Sequence, residues 1–233
     1  MRNSFKYSHL FSVYLLCFSS LVIAQTADQI TDFTKAAKFD DVSEVQSLIK
    51  AGVTPNTLDP KGTPMLILAI RDKSAKVTDL LLANPATNVN LTNKSGENAL
   101  MMAAFDGQLS LVKTLVIDKK AAVNKPGWAP IHYAATNGHL EITQFLMANG
   151  AQVNALSPSE TTPLMMSVGS GNDQLIKYLL DSGADLRMRN HEGYTAIDVA
   201  QLFGKDDIRN GLMSRWLKLY NQPYPGGPKK SPS

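Results

Sequence analysis

One short pattern recurs along this chain at nearly constant spacing, and it limits the fold more than any other feature. It appears as Thr63-Pro64-Met65-Leu66-Ile67-Leu68-Ala69, Asn98-Ala99-Leu100-Met101-Met102-Ala103-Ala104, Ala129-Pro130-Ile131-His132-Tyr133-Ala134-Ala135, Thr162-Pro163-Leu164-Met165-Met166-Ser167-Val168 and Thr195-Ala196-Ile197-Asp198-Val199-Ala200. An eroded copy begins at Thr31 and carries Ala36-Ala37, so the intervals between copies are 32, 35, 31, 33 and 33 residues. A period of that length marks a stacked array in which each unit buries its apolar face only against its neighbours.

Each copy reads as a helix start. A Thr or Asn side chain can accept from the free N–H groups of the first turn, and Pro64, Pro130 and Pro163 fall at the first helical position, where a missing N–H costs nothing. The small pair that follows lets neighbouring helices approach. A second amphipathic segment comes next, as in Leu140 to Met147 and Leu175 to Leu180, with apolar residues at helical spacing. These second helices are expected to stop at a left-handed residue: Gly52, Gly150 and Gly183, with Asn84 in that place in the second unit and followed by Pro85. Turn-rich segments such as Asn93-Lys94-Ser95-Gly96 and Asn190-His191-Glu192-Gly193 then reverse the chain.

At this point the residues match a family. Ala129 to Asn154, with Asn137-Gly138-His139-Leu140-Glu141-Ile142 at its centre and Ala148-Asn149-Gly150-Ala151-Gln152-Val153-Asn154 at its end, closely resembles an ankyrin repeat, and Gly183-Ala184-Asp185 repeats the ending. The resemblance spans about residues 28–220 and implies an all-α ankyrin-repeat solenoid of six helix-turn-helix repeats, near 28–58, 59–92, 93–123, 124–156, 157–189 and 190–220, with short hairpin fingers. Three places depart from the pattern: Lys119 stands at an expected glycine, two extra residues lie near Pro85, and the fourth repeat is short by two around Pro126.

The resemblance implies a protein partner held by finger tips and by the exposed side of the first helices. Mapped by motif, the partner-binding positions are Lys94, Glu97, Lys125, Trp128, Thr161, His191 and Tyr194 on the tips, and Arg71, Phe105, Asp106, Thr136 and Asn137 after the small pair. Trp128 and Phe105 come from adjacent repeats and are expected to be neighbours, an aromatic pair of the kind that anchors interfaces. The centre of the surface is expected at Phe105, Trp128 and Tyr194. Exported bacterial members similar in plan support a periplasmic catalase against peroxide, which makes an oxidative-stress role an expectation by analogy. The rival is a secreted effector or inhibitor acting on a host or competitor target.

The ends of the chain read differently from the array. Arg2, Lys6 and His9 precede an uncharged run of 14 residues from Leu10 to Ile23, short of the roughly 20 needed to cross a bilayer, so residues 1–24 are read as a cleaved signal peptide. Its removal takes away Cys17, the one cysteine, and leaves 21 basic against 20 acidic side chains out of the 23 and 20 in the full chain. That balance gives no reason to expect nucleic acid or a membrane as partner. A protein without disulfides suits a periplasmic or secreted setting, the periplasm more readily, and is expected to be monomeric or weakly associating. Residues 25–220 form the repeat domain, while residues 221–233, rich in Pro and Gly, are expected to be unstructured.

No glycine-rich phosphate loop, Gly-x-Ser-x-Gly elbow or His-Glu-x-x-His helix is present. His132 and His139 fall where the family carries structural histidines, and the methionines at 65, 101, 102, 165 and 166 fall at core positions. The reading is therefore a non-catalytic protein-binding scaffold with no catalytic residue, metal or cofactor.

Overall fold

The computed structural model describes residues 25–227; the expected leader lies outside the described residues, as do residues 228–233. Six helix pairs follow one another: α1 (Ala27–Lys38) and α2 (Val42–Lys50), α3 (Met65–Arg71) and α4 (Ala75–Ala83), α5 (Ala99–Phe105) and α6 (Leu109–Lys113), α7 (Pro130–Thr136) and α8 (Leu140–Ala148), α9 (Pro163–Ser170) and α10 (Asp173–Asp181), and α11 (Ala196–Leu202) and α12 (Asp206–Tyr220). The first helices of successive pairs pack side by side from α1 to α11, and most second helices do the same behind them. Ala103, Ala104, Ala134 and Ala135 are fully buried, so these first helices approach closely, and the core runs unbroken from Phe33 to Leu212 and Trp216. Leu219 does not join it, being 51% exposed near the end of α12.

The turn inside each pair gives the true register. A residue of positive φ recurs there at Asp40, Lys73, Gly107, Gly138, Gly171 and Gly204, at intervals of 33, 34, 31, 33 and 33. Measured this way, two sequence expectations shift. The first helix is capped by Thr26, whose side chain accepts from the Gln29 N–H, while Thr31 lies inside the helix bonded to the Ala27 carbonyl. In the second repeat the cap is Pro64 and not Thr63, one residue on, and between the turns the irregular intervals of 32 and 35 read 33 and 34.

Helix ends explain the other departures. Gly52, Gly150 and Gly183 all take positive φ, as expected, and the N–H of the following residue returns to a carbonyl five residues earlier, as from Ala151 to Leu146. Asn84 does not adopt the left-handed form; it is extended, at φ −77°, and the Leu81 carbonyl accepts from both the Asn84 N–H and the Thr87 hydroxyl. In the third repeat the left-handed residue is Lys120, at φ 55°, not Lys119. The cause is a π turn, Thr114–Asp118, that continues α6 and lengthens the closing bond to six residues, Ala121 to Leu115. One residue is thus added in the helix, while the finger that follows is three shorter than its neighbour: Ala121 to Pro130 is 9 positions, Ala151 to Pro163 is 12. The shortage of two is the net of these changes.

The tail also differs from expectation as far as it is described. Tyr224 returns to the last repeat, where its hydroxyl meets Thr195 at 2.7 Å and the Asp198 carboxylate, and its ring stands edge-on to Trp216 at 5.0 Å. Arg189 donates to the Gly226 carbonyl at 3.2 Å. Burial, and next the bond to Asp198, push the Tyr224 hydroxyl up to about 12. The segment covers the end of the stack because an open terminal repeat leaves apolar and polar groups without a neighbour.

Candidate binding site

The fingers join each second helix to the next first helix, and four of them share one device. A short polar side chain at the finger's start accepts N–H groups further round the loop: Asp59 Oδ1 from Lys61 and Thr63, Asn93 Oδ1 from Ser95 and Glu97, Ser157 Oγ from Thr161, and Asn190 Oδ1 from Glu192 and Tyr194, at 2.7–3.1 Å. The finger between the third and fourth repeats lacks this anchor. Its Asn124 still clasps the neighbouring repeat, as Asn56 and Asn154 do in theirs, accepting from the Gln152 N–H and donating to the Gly150 carbonyl, and the chain runs on through Lys125, Pro126 and Gly127 to Trp128.

Where the loop is cut short, aromatic rings gather. Trp128 stands edge-on to His132 at 5.4 Å and to Tyr133 at 6.3 Å, and Phe105, from the preceding repeat, meets Tyr133 at 6.2 Å. With Thr136 and Met166 these rings line a concave, almost wholly apolar pocket of about 210 Å³ that spans three repeats. Phe105 is 40% exposed at its rim. Such a pocket suits one large apolar side chain of a partner, since a desolvated aromatic cleft is where interface energy concentrates.

Hydrogen bonds fix the walls. Nδ1 of His132 accepts from the Ala129 N–H at 3.1 Å, which leaves the proton on Nε2, where it donates to the carbonyls of Ala155 and Thr161 at 3.1 Å each. Burial lowers its pKa from the ordinary value of 6.5, the carbonyl contacts only partly opposing this, so the ring is held neutral. Tyr133 donates to Glu97 Oε1 at 2.9 Å, and burial, then that carboxylate, raise its hydroxyl well above the usual phenol range. His139 caps the next turn by bonding the Phe105 carbonyl at 2.9 Å, with Asn137 Nδ2 on the same carbonyl at 2.8 Å.

The residues singled out from the sequence divide accordingly. Phe105, Trp128 and Thr136 come together in the pocket; Glu97, Asn137 and Thr161 border it through the bonds just given. Lys94 and Lys125 flank it on successive finger tips. Asp106 ends α5, exposed on the turn side, and Arg71 pairs there with Asp72 at 3.5 Å. His191 is exposed and sits 3.4 Å from Glu160. Tyr194, expected at the centre, is half-buried on the last finger, two repeats beyond Trp128 and outside the pocket. Tyr133, His132 and Met166 were missing from the expected site. Their signal was present in helical spacing, since Tyr133 and Thr136 lie three apart and share a face.

In a larger groove of about 360 Å³ between α10 and α12, Asp181 is shared by Lys177 and Arg215, while Arg215 Nε is buried without a hydrogen-bond partner among the described residues. Among the described residues no three His, Cys, Asp or Glu side chains gather as a metal site, and no helix is long and apolar enough to cross a membrane.

Comparison with known proteins agrees with the architecture. The family model for ankyrin repeats matches three times in overlap, over residues 33–126, 66–157 and 131–218. The chain is 30% identical to the nuclear factor NF-kappa-B p105 subunit of Gallus gallus over 195 residues, covering 81% of this chain and 19% of that protein. It is 30% identical to the B-cell lymphoma 3 protein homolog of Mus musculus over 178 residues, 73% of this chain and 40% of that protein. It is 26% identical to phosphocholine transferase AnkX of Legionella pneumophila over 176 residues, 74% of this chain and 18% of that protein. The chain therefore spans a fifth to two fifths of the length of these relatives.

Proposed function

Because the chain belongs to the ankyrin-repeat family, we propose that it is a non-catalytic scaffold of the bacterial periplasm that grips a protein client through the face holding the Phe105–Trp128 pocket. The observation that carries this reading is the pocket itself: a preformed apolar cleft beside a truncated finger, walled by groups whose hydrogen bonds are already spent on structure. A leader pattern ahead of a cysteine-free repeat domain supports export, and support of oxidative-stress defence follows from the plan shared with exported relatives. Replacing Phe105 and Trp128 together by Ala should leave the helical spectrum intact and remove capture of exported proteins by the purified domain; an unchanged capture profile rules out this centre. Fractionation separates a periplasmic scaffold, which stays with the cell, from a secreted effector, and peroxide sensitivity after gene deletion tests the stress role.

A further inference from the structure

The three fingers up to the pocket carry lysine at their tips, whereas the fourth, beyond it, carries the exposed Glu160. Lys61, Lys94 and Lys125 stand on three consecutive fingers, and among the described residues no carboxylate lies within 4.0 Å of their ammonium groups. The carboxylates closest in sequence are engaged elsewhere. Asp59 caps its own loop, and Glu97 accepts from Asn93 and Tyr133. Lys94 and Lys125 are also aligned, because each bends back over the glycine of the preceding finger: a Cβ on Gly62 would fall 2.9 Å from Lys94 Cε, and one on Gly96 would fall 3.4 Å from Lys125 Nζ. Both adjoining fingers touch the pocket, one through Glu97 on Tyr133, the other through Trp128, three residues beyond Lys125. The opposite, turn side has no such excess, since Arg71 is paired with Asp72 and Asp106 is exposed.

We propose that this ridge and pocket together bind an extended acidic segment of a partner protein, with carboxylates at every third residue along Lys61, Lys94 and Lys125 and one large apolar side chain seated among Phe105, Trp128 and Tyr133. The spacing follows from geometry. Neighbouring packed helices stand about 8–10 Å apart, and three residues of polyproline II chain advance about 9 Å and complete one turn. Carboxylates three apart therefore meet successive fingers from one side of the segment. The inference rests on the client-binding reading above and adds the chemistry of the client.

The test is selection from phage-displayed random dodecapeptides on the full chain, followed by fluorescence anisotropy with the labelled winners. Winners should carry acidic residues three apart beside an aromatic or long aliphatic residue, and a scramble that places the acids side by side should bind at least tenfold more weakly. The triple variant Lys61→Ser, Lys94→Ser, Lys125→Ser should also lose at least tenfold, and added salt should weaken the wild type far more than this variant. Winners without acidic spacing, winners bound equally by the triple variant, a selection that yields none, or displacement of the peptide by a thymidine oligonucleotide would each overturn the inference. Peptides that need Phe105 and Trp128 but not the lysines sink the acidic-segment inference alone; peptides indifferent to both sets sink the binding face as well.

Discussion

The finger at Asn154–Thr161 and the finger at Asn124–Trp128 connect the same kinds of helices, yet one is closed by its own side chains and the other is not. In the first, Ser157 holds the loop and the Thr161 carbonyl accepts from the His132 Nε2–H, so the finger is self-contained and tied to its neighbour. In the second, the three residues that would hold such an anchor are missing, and Trp128 falls back onto His132 and Tyr133. The regular finger spends its polar groups on shape; the shortened one leaves aromatic surface open to solvent. The apolar pocket arises where the repeat rule is broken.

Three changes probe that contrast. Inserting Ala-Leu-Ser after Asn124, a copy of the Ala155–Ser157 segment, should rebuild a regular finger, lift Trp128 off the pocket and weaken peptides selected on the wild type by about tenfold, roughly 1.4 kcal/mol; unchanged affinity would detach the pocket from the truncation. Acidification should act on the regular finger through His132. Its folded pKa lies below the unfolded value, so the unfolded chain binds the proton first, and stability should fall once pH drops below about 6.5, by up to about 1.4 kcal/mol per pH unit until the folded ring titrates. Urea midpoints from pH 8 to 5 measure this, and His132→Gln should flatten that part of the slope. The smallest effect is expected at the end of the π turn, where Lys120→Gly relieves a left-handed conformation and should raise stability by about 0.5 kcal/mol, read as a small rise in thermal midpoint.

Much of the stack was legible in the chain because helix starts and small pairs are local signals with local causes. Asn98, Thr162 and Thr195 cap their helices as their residue types demand. The errors fell where a choice between adjacent residues depends on the neighbouring repeat. Thr63 and Pro64 are equally good openings by motif, and only the packed register selects Pro64. The π turn left no mark in composition, and Lys119 and Lys120 are indistinguishable until the closing bond from Ala121 is seen. That Phe105 and Trp128 share one neighbourhood could be read from repeat position, whereas Tyr194, placed on a tip by the same motif, lies two repeats beyond Trp128. Tyr224 is the converse case: a Pro- and Gly-rich context hid a side chain that packs on Trp216 and reaches Thr195 and Asp198.

The extra residue in the third repeat's helix and the deletion in its finger do not propagate. Beyond Trp128 the left-handed turns resume at 33-residue steps, Gly138, Gly171 and Gly204, as though nothing had happened upstream. Each junction thus resets the count for the next, so a length error is confined to a single seam. An array with that property can vary its grip one finger at a time while the rest of the ladder keeps its alignment.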